Sequence, residues 1–166
     1  MPSLRSSDLG TLRVRVAYIE IPRKNGKSTL LAGIGLYLFF ADGEAGAEVY
    51  TAATKRDQAK ITHSEATRMV QKSPELRRRI KIYRDNMHVL ATASKFEPLG
   101  ADSNTADGLN ISGAVVDELH AHKDRGMWDV IDTATGAREQ PLIAAITTAG
   151  SGRHTICYEQ HAYSKK

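Results

Sequence analysis

Gly26-Lys27-Ser28-Thr29, set between an alternating apolar run at residues 12–21 and a mostly apolar stretch at 28–40, constrains this chain more than any other feature. A strand that runs through a glycine-bearing loop straight into a helix builds an anion cradle. Gly26 lets the backbone turn tightly and bring its N–H groups up to a phosphate. Lys27 can reach the terminal phosphates, and Ser28 can place a hydroxyl on Mg²⁺. The helix that follows turns the positive end of its dipole to the same spot. The generic loop pattern opens with a further glycine, and Ile21 stands at that position.

A second motif supports the first. Gly113-Ala114-Val115-Val116-Asp117-Glu118 reads as a buried strand with two carboxylates at its C-terminal edge. An Asp there can hold Mg²⁺, and a Glu beside it can orient and deprotonate an attacking water. Together the motifs point to ATP hydrolysis. A strand ending in solvent is the bland alternative for the second motif taken alone.

With 166 residues, 41% hydrophobic and 25% charged, the chain is long enough for one domain with a sizeable core. It contains no 18-residue apolar run that could span a membrane, and its first residues lack the apolar segment of a signal peptide. Cys157 is the only cysteine, so no internal disulfide forms and a reducing cytoplasm suits the chain. A formal net charge of +4 is compatible with nucleic acid without demonstrating it. Lys72, Arg77, Arg78, Arg79, Lys81 and Arg84 form the densest basic cluster, which reads as a solvated face or a phosphate-backbone or subunit contact.

Along the chain, strands are expected at 12–21, 48–53, 96–99, 113–118 and 142–148, with a hairpin of 80–83 and 87–93 around Asp85-Asn86. Helices are expected at 28–40, at about 55–72 with Thr54 as cap, near 75–79, at 126–136 and in the tail from 153. Residues 100–110 read as a polar loop. Gly33 and Gly35 weaken a helix but allow close packing on a sheet. Strands alternating with helices imply an α/β fold: a mainly parallel central sheet with helices on both faces. Ligands bind such sheets at the carboxyl ends of the strands. The loop, Asp117-Glu118 and Thr147-Thr148 all fall at such ends, which places them on one rim. Strand-end capping is the plainer reading of the two threonines. His120 and His122, two apart, invite a metal reading that no nearby Cys or His supports. Trp128 reads as core.

Pro22-Arg23-Lys24-Asn25-Gly26-Lys27-Ser28-Thr29, then Thr105-Ala106-Asp107-Gly108-Leu109-Asn110 before Val115-Val116-Asp117-Glu118-Leu119-His120, then Ile146-Thr147-Thr148-Ala149-Gly150, resemble the ATPase domain of tailed-bacteriophage terminase large subunits. The tail Ile156-Cys157-Tyr158-Glu159-Gln160 fits as well, so the resemblance spans residues 14–163. It implies a P-loop NTPase fold of the RecA-like (ASCE) type and a motor that drives double-stranded DNA into a preformed capsid. Residues 22–29 match the nucleotide-binding loop, with Lys27 and an arginine, Arg23, directed at the γ-phosphate. Ser28 and Asp117 match the Mg²⁺ ligands, and Glu118 the catalytic glutamate. Thr147 and Thr148 match the coupling motif that senses the γ-phosphate. Ile21 in place of glycine is normal in that family. ATP and Mg²⁺ are the implied cofactors. The implied partners are DNA, the portal and capsid, the small terminase subunit and further copies in a ring, in the host cell cytoplasm and away from membranes.

Two family features are not found. Only about twenty residues precede the loop, too few for an adenine-binding segment, and no C-terminal nuclease domain follows. The expectation is therefore a single, truncated P-loop ATPase domain over 1–166 without nuclease activity and with weak turnover in isolation. A neighbour-supplied arginine would come from Arg77, Arg78, Arg79, Arg125 or Arg138. A helicase-type motor, a non-catalytic binding module and a small-molecule kinase are the alternatives. The Arg23–Thr29 string and Asp107-Gly108-Leu109-Asn110 ahead of Asp117 speak against the first, which stimulation of hydrolysis by empty capsids rather than by DNA alone would test; turnover lost in Glu118→Gln would argue against the second, and no clear arginine-rich lid or acceptor site supports the third.

Overall fold

The computed structural model describes residues 14–99, 108–122, 124–148 and 155–165. Seven strands form one sheet: β1 (Val16–Glu20), β2 (Glu48–Ala52), β3 (Lys81–Ile82), β4 (Met87–Val89), β5 (Ser94–Leu99), β6 (Gly113–Val116) and β7 (Leu142–Thr147). Their order is β1-β7-β6-β2-β5-β4-β3. From β1 to β5 the neighbours pair in parallel, and β5-β4-β3 close one edge antiparallel. The mainly parallel α/β sheet read from the sequence is therefore present. β7, the last strand in sequence, lies between β1 and β6 and brings their ends together.

Period-two alternation sets which helices cover which face. Val115 of β6 and Ala144 and Ile146 of β7 point to one face, where Leu31 of helix α1 (Lys27–Leu36) meets them. Helix α2 (Arg56–Lys72) covers the same face further along, its Ala66 and Val70 packing with Val49 and Phe96. Ala114, Val116, Ile143 and Ala145 point the other way. They pack there with Trp128 and Ile131 of helix α4 (Gly126–Ala134) and Ile156 and Cys157 of helix α5 (Ile156–Ser164). Trp128 is thus core, as expected. The short helix α3 (Pro74–Arg79) starts with proline at its first turn, where no N–H is needed, and the Ser73 hydroxyl accepts from Leu76 N at 3.3 Å.

Several boundaries differ from the sequence reading, three of them in more than an end residue or two. The α-helical part of 28–40 ends at Leu36 and continues as a π-helical turn, Tyr37–Ala41. Thr54 does not cap α2: the helix starts at Arg56 with Lys55 at its cap position, and the Thr54 hydroxyl bonds the Gln58 side chain instead. The strand expected over 87–93 stops at Val89 and resumes at Ser94, because Leu90–Ala93 make a tight turn with Ala93 at φ 55°. No Gly, Pro or Asn marks that turn, so nothing in the local sequence announces it. The expected start of the first strand at 12, the loop at 100–107, Ala149-Gly150 and the start of the tail at 153 lie outside the described residues. The tail helix is described from Ile156, capped by Thr155.

Candidate functional site at the carboxyl edge of the sheet

The loop that leaves β1 is tied to β7 at once, Ile21 N donating to Thr147 O at 3.0 Å. Lys24 and Gly26 then take left-handed φ values of 64° and 71°, with Asn25 between them at ordinary φ. This alternation turns successive N–H groups toward one concave side, the backbone basis of an anion nest. Gly26 is the residue before α1, and its carbonyl accepts the first helical bond from Leu30 N at 3.0 Å. Any side chain at Gly26 would be strained at that φ, although space around it is open. Pro22, Arg23, Lys24, Asn25 and Thr29 are exposed and Ser28 is half-buried. The Asn25 amide donates to Pro22 O at 3.4 Å, holding the loop closed.

Lys27 behaves differently from the other described lysines. Its side chain is buried, 9% exposed, and its ammonium lies 3.7 Å from Glu118 Oε1. The loop and the Asp-Glu strand, far apart in sequence, thus meet where the parallel topology places them. Asp117 N continues the sheet by donating to Ala52 O at 2.9 Å. The Asp117 carboxylate accepts from Glu118 N at 2.8 Å and from the Thr62 hydroxyl at 3.4 Å. Burial, and then the neighbouring Glu118, push the Asp117 carboxyl above the usual carboxylate range; the bonds from Glu118 N and Thr62 and the Lys27 charge act against this. A buried carboxylate in that condition gains from a cation, and a hydroxyl and a carboxylate are the oxygen donors Mg²⁺ prefers. Ser28 and Asp117 therefore fit the ion that the sequence implies.

Glu118 has φ 52°, a left-handed conformation. Its second oxygen lies 3.2 Å from His120 Nε2. His120 sits on a 3-10 turn, Leu119–Ala121, and its Nδ1 is 3.0 Å from Thr147 Oγ1 and 3.4 Å from Thr148 Oγ1. The Thr147 hydroxyl, fully buried, donates to Thr148 O at 2.8 Å and accepts from His120 N at 3.1 Å. Thr147 is thus committed within the protein, whereas the Thr148 hydroxyl has His120 as its partner among the described residues. Cys157 Sγ lies 3.7 Å from Thr147 Oγ1 and 3.6 Å from the Tyr18 hydroxyl, which links β1, β7 and α5 behind the site.

Sequence reasoning missed Thr62 and the part played by His120. Thr62 carried a weak signal, a polar residue on the apolar face of α2 between Ala59 and Ala66. Its contact with Asp117 depends on how α2 crosses the sheet, which periodicity does not reveal. For His120 and His122 the metal reading finds no geometry: no group of three or more His, Cys, Asp or Glu side chains able to hold a metal forms among the described residues. His122 is buried and bonded to the Asp117 backbone, and burial lowers its pKa.

The arginines separate as well. Arg138 is withdrawn from the set that a neighbour could receive. It is largely buried and bonds Glu44 at 2.8 Å, Gly46 O at 2.8 Å and Asn110 O at 2.9 Å. Arg125 pairs with Asp129 and Glu159, and Arg78 and Arg79 with Glu75.

A parallel sheet with a left-handed loop glycine before α1, a buried lysine and an Asp-Glu pair one strand beyond β7 defines a P-loop NTPase of the ASCE type. The family model "Terminase large subunit, ATPase domain" matches residues 5–166, and the chain belongs to that family. It is 32% identical over 139 residues to the large terminase subunit of Enterobacteria phage HK97, covering 80% of this chain and 27% of that protein. The crystal structure of the HK97 large terminase superposes with a TM-score of 0.81 at 28% identity, over 92% of this chain and 34% of that one. The ATPase domain of the Thermus phage P74-26 large terminase shares the fold, with a TM-score of 0.64 at 18% identity over 83% of this chain and 61% of that domain. The chain thus spans about a quarter of the curated relative's length and a third of the solved one.

Proposed function

We propose that residues 1–166 form one ATPase domain, the part of a terminase large subunit that hydrolyses ATP to drive double-stranded DNA into a preformed capsid. The observation that carries this reading is the meeting of the loop lysine Lys27 with Glu118 at 3.7 Å, beside Asp117. Phosphoryl transfer needs positioned charge more than covalent help, and those parts converge on one rim.

In this mechanism the nest of N–H groups at Lys24 to Gly26 receives the phosphates, and Lys27 reaches the terminal ones. Arg23, whose guanidinium has no ion pair among the described residues, turns to the γ-phosphate from the loop. Ser28 and Asp117 would hold Mg²⁺, which when bound offsets charge on the phosphate oxygens. Glu118 accepts a proton from the attacking water as its oxygen bonds to the γ-phosphorus. The bond to the β-phosphate oxygen breaks, and ADP and phosphate leave. Thr148, with its hydroxyl at the end of β7, reports the loss of the γ-phosphate, while Thr147 holds the strand end in place. Portal, capsid, small subunit and a ring of copies are the partners of the assembled motor, in the host cytoplasm. No helix among the described residues is long and apolar enough to cross a membrane.

Steady-state ATP hydrolysis with Mg²⁺ tests the reading. Glu118→Gln should lower kcat by about 10²–10⁴-fold, the usual worth of a positioned general base. Lys27→Ala should abolish both turnover and tight nucleotide binding. Turnover equal in the chain and both variants would overturn the assignment.

A further inference from the structure

Glu118, His120, Thr147 and Thr148 form one chain of polar contacts along the rim, from the carboxylate beside Lys27 to the end of β7. We propose that His120 is a positioning residue for hydrolysis: its ring holds the Glu118 carboxylate where it meets the attacking water, and makes that hold depend on the strand-end threonines. This rests on the ATP-hydrolysis reading above.

Glu118 has two partners among the described residues, Lys27 at 3.7 Å and His120 at 3.2 Å. Lys27 is the group that an incoming phosphate takes for itself. His120 is then the contact left on Glu118. A glutamate side chain is long, and this one is 40% exposed; without a second contact its carboxylate samples many positions. A general base works only within hydrogen-bond reach of the proton it removes, so a contact that restricts Glu118 acts on the chemical step rather than on nucleotide binding.

The distances around the ring set what each tautomer can do. The Thr147 hydroxyl proton goes to Thr148 O, so Thr147 Oγ1 faces His120 only as an acceptor. The Thr148 hydroxyl is the available donor to Nδ1, at 3.4 Å. A neutral imidazole donates from one nitrogen and accepts at the other. A proton on Nε2 faces Glu118 at 3.2 Å and leaves Nδ1 to accept from Thr148, whereas a proton on Nδ1 faces the nearer acceptor, Thr147 Oγ1, at 3.0 Å. In the second arrangement the proton serves Thr147, and the neutral ring offers Glu118 none. The strand-end threonines and Glu118 thereby compete for one ring proton.

The test measures ATP turnover and the binding of a fluorescent ATP analogue for the chain and for His120→Ala, His120→Gln and His120→Asn, with thermal melts of each. His120→Ala should lower kcat by about 10–100-fold, a positioning effect of the size seen when a reacting group is mis-set, with analogue affinity unchanged. Glutamine places an amide near Nε2 and should recover most of that loss. Asparagine replaces only the Nδ1 side and should not. If the alanine variant unfolds, the glutamine and asparagine pair carries the comparison. Turnover within two-fold of the chain's in His120→Ala, equal rescue by both amides, or weakened analogue binding with unchanged kcat would each overturn the role of His120. Continued loss of turnover in Glu118→Gln would then leave the ATPase reading standing. No turnover above that of Glu118→Gln in the unmodified chain would overturn both.

Discussion

Glu118 and His63 show what single residues cost this fold and what the cost accomplishes. A left-handed glutamate is strained by about 1 kcal/mol or more, and Glu118 carries it where two adjacent carboxylates have different partners, Thr62 for Asp117 and Lys27 and His120 for Glu118. His63 is a buried titratable group away from the site, its Nε2–H donating to Phe96 O at 3.1 Å. Burial lowers its pKa, partly offset by the bond to Phe96 O and by the Asp85 and Glu97 carboxylates. Above its ordinary pKa, the ring is neutral in both folded and unfolded chains. As pH falls from about 6.5 toward the lower folded value, the unfolded chain takes a proton that the native state refuses, so stability is lost with acid. The thermal midpoint should therefore drop between pH 7.5 and 5. His63→Gln, which keeps a donor for Phe96 O, should show a shallower drop from a lower starting point. Parallel pH profiles for the two proteins would rule out His63 as a source of the acid sensitivity. Nothing in the sequence marked His63, because its burial depends on the packing of α2 over β5.

At the scale of the element, α1 carries two glycines with opposite consequences. A Cβ at Gly35 would lie 2.7 Å from Phe96 Cζ, and the Phe96 ring is itself fixed between Phe39 and His63, at centroid distances of 5.8 and 5.3 Å. Gly33 is exposed, with nothing within 4 Å of the same point. Gly33→Ala should stabilise the protein by about 0.5–1 kcal/mol through helix propensity alone. Gly35→Ala gains the same propensity but overpacks the core at a cost of about 1–3 kcal/mol, so it should come out destabilised. Urea unfolding of the pair decides it: the same sign for both would mean that the α1–Phe96 contact yields easily. The sequence reading had both glycines allowing close packing, and only one does. Element type was legible because alternation in β6 and β7 and the spacing on α2 express burial directly. Ends were less so: the turn at Leu90–Ala93 and the π-helical turn after Leu36 are set by tertiary contacts rather than by punctuating residues.

For the whole molecule, the rim was legible in outline because parallel strands must end on one side, so three motifs at strand ends had to converge. What the topology could not convey is which side chains face one another across the rim, the pairing of Lys27 with Glu118 and of His120 with the threonines. The opposite edge of the sheet has its own organiser, which the sequence offered only as a candidate for a neighbour's site. Arg138 lies before β7 and bonds Gly46 O and Glu44 ahead of β2 and Asn110 O ahead of β6. Its guanidinium thus holds together the entries of three adjacent strands, far from the carboxyl rim. The pair is shielded, with Arg138 12% and Glu44 19% exposed, and Glu44 Oε2 has no partner of its own. Removing the arginine leaves a buried carboxylate unpaired and strips two backbone carbonyls of donors, a loss of about 3–5 kcal/mol. Lysine keeps the charge but lacks the planar fork that serves several acceptors at once, so Arg138→Lys should recover only a minor part. Since the substitution lies at the far edge, turnover per folded molecule at low temperature should stay close to that of the unmodified chain. Arg138→Ala combined with Glu44→Ala should be less destabilised than the sum of the two, because the unpaired charge is gone. A loss under about 1 kcal/mol for Arg138→Ala, well below the buried-pair range, would show that these strand entries hold without the arginine.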